Sequence, residues 1–150
     1  MVLCVWGLYT YLPAIPGADS IAFVFKMNLI ATLPLFAMLI AIGNARFLSD
    51  AIDPTQHKES RALEIDARVA ENTLQQTLVF VVATLAFVTV FPIGMGKLFA
   101  ALAITFVIAR IVFWVGYRMN PLLRAPGMAA TAYLNLGIIL AFIYYFIPTL

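Results

Sequence analysis

Arg68-Val-Ala-Glu-Asn72-Thr-Leu-Gln75-Gln76-Thr-Leu-Val-Phe80 decides how this chain folds. It is the polar mouth of an apolar run that continues through residues 77–91 without a charged side chain. Read as a helix, the stretch puts Arg68, Asn72, Gln75 and Val79 on one face, at i, i+4, i+7 and i+11. A cation and two amides then line up where the helix enters lipid. Polar and charged groups beside hydrocarbon are costly unless paired, so their clustering on one face points to function. The competing reading is that they solvate a helix end and snorkel to the interface.

The rest of the chain supports a membrane reading. Of its 150 residues 64% are hydrophobic and 11% charged, with a mean hydropathy of +1.01. A soluble domain has about 45–50% apolar and about 25% charged residues. The net charge of +2 is scattered, so no nucleic-acid surface is indicated. The single cysteine, Cys4, excludes an intramolecular disulfide and a cysteine metal cluster. His57 stands alone in a polar loop without a second ligand at metal spacing, so no metal site is expected.

The expected fold is an all-α membrane protein: a four-helix transmembrane bundle over residues 21–150, preceded by a short apolar N-terminal segment within residues 1–20. The segment MVLCVWGLYTYL is too short to cross a core of about 30 Å. It reads as an interfacial piece or part of a further helix, ended by Pro13 and Pro16-Gly17. Spans are expected at residues 21–42, 68–91, 98–117 and 128–147. Gly43-Asn44-Ala45-Arg46 should close the first, a turn at residues 91–96 the second, and Asn120-Pro121 the third, because proline disfavours helix in the residue before it. Residues 122–127 then read as a connector. This places Arg46, Lys58, Arg61, Arg68, Arg118 and Arg124 at one end of the bundle, against Lys26 and Lys97 at the other. The positive-inside rule makes the first end cytoplasmic and both termini non-cytoplasmic. The same argument holds for a bacterial inner membrane and for an endoplasmic reticulum.

Arg110 is left within the third span, with Phe113, Trp114 and Tyr117 following on the same face and Arg124 beyond the break. Arginine forks match carboxylates and amides match a peptide backbone, so the set suits a small anionic, peptide-like ligand. A purely structural alternative pairs Arg110 with Glu71 or Gln75 to hold helices together. Arg118 and Lys58 read as solvated loop charges, and Phe113 and Trp114 as packing. Leu74, Val81 and Phe106 are candidates to line a lipid-facing groove.

Taken in order, Arg68-x3-Asn72-x2-Gln75 with Phe80, Ala109-Arg110-Ile-Val-Phe113-Trp-Val-Gly116-Tyr117 and Leu123-Arg124-Ala-Pro126 resemble the MAPEG superfamily. These are membrane-associated proteins of eicosanoid and glutathione metabolism. The resemblance is to microsomal glutathione S-transferase-like members, with an N-terminal extension similar to that of mattrin-like ones. It implies a four-helix protomer in a homotrimer, with glutathione as bound co-substrate between protomers near the cytoplasmic side. Arg68, Asn72, Gln75, Arg110 and Phe113 would bind it, with Arg46 reaching in from the end of the first helix. Arg124 and Tyr117 would be catalytic, stabilising the thiolate. The reaction implied is a transferase or peroxidase acting on apolar electrophiles or lipid hydroperoxides. Gln75, Leu78 and Phe113 stand where the family pattern has glutamate, proline and tyrosine. Gln75 keeps an acceptor but loses charge, Leu78 should straighten the helix, and Phe113 lacks a hydroxyl. Those departures carry the alternative: a non-enzymatic membrane scaffold or lipid-binding protein.

Overall fold

Ser60 starts the longest helix. Its side chain accepts a hydrogen bond from the Leu63 backbone at 3.3 Å, satisfying one of the free N–H groups of a helix start. The computed structural model describes residues 1–15, 21–53, 55, 58–91 and 96–150. It contains α1 (Val2–Tyr11), α2 (Ile21–Phe47), α3 (Arg61–Val90), α4 (Lys97–Met119) and α5 (Ala125–Phe146). Short 3-10 turns occupy Asp50–Ile52, Pro121–Arg124 and Ile147–Thr149. Pro16-Gly17, His57 and most of the turn at residues 91–96 lie outside the described residues.

Among the described residues, four helices are long and apolar enough to cross a membrane, one for each expected span. Their boundaries differ in instructive ways. The first span does not close at Gly43; α2 runs on to Phe47, since one glycine costs a helix only about 1 kcal/mol. Thirty residues of α3 make a rod of about 45 Å. That exceeds the hydrocarbon core of about 30 Å, so its first turns extend the bundle beyond lipid. Leu78 sits in an unbroken helix, as its replacement of proline predicts. The connector expected at residues 122–127 is instead a 3-10 turn followed directly by the first turn of α5. Pro126 fits there because the first turn of a helix needs no N–H from it.

α3 and α4 turn small and aromatic side chains inward. Phe80 and Phe106 meet between α3 and α4 with tilted rings, centres 4.6 Å apart, and Ala100, Ala101 and Ala103 let neighbours approach α4 closely. Lipid is as apolar as leucine, so helices associate through such close packing and through polar links. The Thr84 hydroxyl reaches Asn28 Oδ1 at 2.9 Å, tying α3 to α2. Asn135 Nδ2 donates to Gln76 Oε1 at 2.9 Å, tying α5 to α3. Leu29, Phe36, Leu78 and Ile111 face outward, as lipid contacts require. Leu74 is likewise exposed, but Phe106 is 0% exposed and lines no lipid-facing groove. Its position on α4 falls on the side that meets Phe80.

Candidate functional site

Two glycines shape the site. At Gly127 an added Cβ would lie 2.5 Å from the Phe113 backbone nitrogen and 2.6 Å from the Ala109 carbonyl. The start of α5 can rest on α4 only because no side chain intervenes. This contact carries the Gly127 carbonyl and Thr131 to Arg110. At Gly116 a Cβ would meet the backbone of Leu123 and Arg124. The Asn120 N–H donates to the Gly116 carbonyl at 2.9 Å, and its Oδ1 accepts from Leu122 N–H at 2.9 Å. Together these bend the chain back along α4, and Arg124 comes to rest 4.8 Å above the Tyr117 ring.

Arg110 is 0% exposed. Its Nη1 donates to Asn72 Oδ1 at 2.9 Å. Its Nη2 contacts the Thr131 hydroxyl and the Gly127 carbonyl at 3.4 Å. Nε has no partner. The guanidinium lies 4.7 Å from the Phe113 ring centre, a cation–π contact that partly offsets desolvation. The expected pairing with Glu71 or Gln75 is not what forms; both are exposed on α3, and every polar partner of Arg110 is neutral. The site therefore holds a buried positive charge without a carboxylate. Buried ions are usually paired, so this is an unusual electrostatic arrangement.

Arginine can only donate, which fixes the orientation of Asn72. Its Oδ1 accepts from Arg110, which leaves its two N–H donors out of that bond. The face expected to carry Arg68, Asn72 and Gln75 together is thus divided. Asn72 is half-buried and tied inward, while Arg68 and Gln75 are exposed. Phe113 and Tyr117 follow Arg110 along α4, with ring centres 6.0 Å apart. The result is a ladder of Arg110, Phe113, Tyr117 and Arg124 from the bundle interior to its end. Arg46 lies apart from this ladder in its contacts: its Nη2 pairs with Glu59 at 2.6 Å, bracing the loop between α2 and α3.

A second cluster escaped the sequence reading. Arg118 is not a solvated loop charge. Its Nε donates to Asp66 Oδ1 at 2.8 Å, and Nη2 meets Oδ2. Trp114 is more than packing, because its Nε1 donates to the same Oδ1 at 2.8 Å. Asp66 stands at the start of a buried stripe through Val69, Ala70, Thr73, Thr77 and Phe80. That i, i+3, i+4, i+7 register was the available signal for a buried carboxylate. Thr131 and Asn135, one turn apart on the buried stripe of α5, carried the same signal.

The MAPEG family model matches residues 25–144, four-fifths of the chain and all four spans. The chain belongs to the MAPEG family. As a MAPEG protein it is an integral multi-pass membrane protein, related at family level to glutathione-dependent membrane transferases and to eicosanoid metabolism. MAPEG proteins generally use glutathione and commonly form trimers. No curated protein and no solved structure matches the chain. The match begins after α1. Arg68, Arg124 and the Asn72 amide carry N–H donors of the kind that carboxylates and carbonyls accept. Gln75, where the family pattern has glutamate, offers a ligand ammonium a neutral acceptor in place of a charged one.

Proposed function

We propose that this MAPEG protein is a glutathione-dependent membrane transferase or peroxidase for apolar electrophiles or lipid hydroperoxides, of the microsomal glutathione S-transferase-like kind. The observation that carries the reading is the placement of Arg124 over Tyr117 at 4.8 Å, at the end of a ladder that begins with an unneutralised Arg110. In this reading Arg68 and the Asn72 amide bind the carboxylates and peptide groups of glutathione, with Gln75 as a neutral contact. Phe113 walls the site. Arg68, Gln75 and Arg124 are open on a single chain, and a homotrimer closes the site by laying a second protomer across them.

The chemistry then follows from charge. Glutathione loses its thiol proton to solvent, and the sulfur anion lies beside the Arg124 guanidinium and the Tyr117 hydroxyl. A cation and an O–H donor favour the thiolate over the thiol. Each unit by which they lower the thiol pKa corresponds to about 1.4 kcal/mol. In transfer, sulfur forms a bond to the electrophilic carbon as its leaving group departs with the bonding pair. In peroxide reduction, two thiols become a disulfide while the hydroperoxide becomes an alcohol and water. The apolar co-substrate arrives laterally from the bilayer, with the site at the cytoplasmic end.

Turnover with an aryl halide in reconstituted vesicles tests this. Arg124→Ala should lower it by at least about tenfold, the effect of one pKa unit; unchanged turnover would refute the mechanism. A second reading, a non-enzymatic scaffold on the same fold, is favoured by one observation. Phe113 is buried beneath Arg110, so the hydroxyl that the family pattern carries there has no substitute on that turn. Saturable glutathione binding with turnover would decide against it.

A further inference from the structure

α1 covers only part of the bundle. It runs antiparallel to α4, with Lys97 Nζ donating to the Leu12 carbonyl at 3.3 Å and Cys4 Sγ 3.7 Å from the Thr105 hydroxyl. Its ten residues span about 15 Å, half a bilayer core. Between α1 and α5 a slot of about 330 Å³ remains, floored by Phe87 and Leu102 and walled by Val5, Tyr9 and Ile138. Gly137 also borders it, and a Cβ there would meet nothing within 4 Å. No side chain of the described residues fills this volume, which falls within the common size range of ligand pockets. In a membrane the surrounding medium is acyl chain, not water.

A charge stands beside the slot. Leu98 and Leu102, one and five residues beyond Lys97, line it. The Lys97 ammonium lies 4.6 Å from the centre of the Tyr9 ring. One of its three N–H donors goes to Leu12, and among the described residues no carboxylate pairs with it. An ammonium and a tyrosine at an interfacial level, above an apolar slot, complement a phosphate with a chain beneath it.

We propose that the slot is a binding site for an anionic phospholipid, one acyl chain lying between α1 and α5 and the headgroup phosphate at Lys97. This site is at the end of the bundle opposite Arg118 and Arg124 and does not depend on the glutathione reading.

The test uses the full chain reconstituted in phosphatidylcholine vesicles. Phosphatidylglycerol or phosphatidylcholine bearing the same nitroxide-labelled chain is added, and electron paramagnetic resonance reads the motionally restricted fraction. One lysine near a membrane surface favours an anionic headgroup by about fivefold, and that preference for phosphatidylglycerol is expected. It should vanish in Lys97→Gln and persist in Lys26→Gln. Gly137→Leu places a side chain in open space and should abolish it by filling the slot. Equal association of the two lipids overturns the proposal. A preference surviving Lys97→Gln overturns the headgroup placement, and one surviving Gly137→Leu overturns the chain placement.

Discussion

Replacing Arg110 with methionine should leave the protein about as stable as before while removing ligand binding. Arg110 sits about 20 Å from the Lys97 end of α4 and about 14 Å from the Met119 end, at 1.5 Å per residue. A cation at such depth costs about 2.5–3.5 kcal/mol on insertion scales, and methionine removes that cost. Against this stand the bonds to Asn72 and Thr131, worth about 0.6 kcal/mol each on average and at most about 1.7. The contact with Phe113 adds about 1 kcal/mol. None of the abandoned acceptors, the Gly127 carbonyl included, is stranded. Asn72 is half-exposed, and the Thr131 hydroxyl keeps the Gly127 carbonyl at 3.1 Å. Gains and losses cancel to within about 1 kcal/mol, or about 4 °C in unfolding midpoint for a chain of this size. Circular dichroism melts of the detergent-solubilised variant, at fixed detergent, measure the shift. Glutathione affinity should fall in parallel, because the Asn72 amide is free to turn. A midpoint lowered by more than about 8 °C would mean that Arg110 is a structural keystone, and the reasoning from its neutral partners would be wrong.

The same melts check three further expectations. Asp66→Asn should cost about 1–2 kcal/mol, below the 3–5 of a fully buried pair, because the Arg118 side chain is 51% exposed and can turn to water. Gly127→Ala should cost about 1–3 kcal/mol by forcing α5 off the α4 backbone; an unchanged midpoint would show that this contact does not position the site. Thr84→Val should cost only about 0.6 kcal/mol, the average interhelical bond in a membrane, and a loss above about 2 would refute that scale here.

The fold was legible because its signals are local. Apolar runs of span length and Asn120-Pro121 as a stop can be read from neighbouring residues. The relation between Tyr117 and Arg124 was legible as a spacing, but the device that enforces it, a 3-10 turn resting on Gly116, was not. Arg118 and Asp66 show the limit most clearly. They stand 52 residues apart on different helices, and only the rotation of α3 against α4 turns them towards each other. The partners of Arg110 were missed for the same reason. Glu71 and Gln75 are charged or polar and near in sequence to Asn72, yet their positions rotate outward, while Thr131 arrives from α5 through the close approach at Gly127.

Calorimetric titration of glutathione into the purified protein, beside Arg124→Ala, tests the central claim most directly. The account predicts saturable binding to the native chain that the substitution abolishes or strongly weakens. Absence of binding at millimolar glutathione, or equal binding by both proteins, would contradict it.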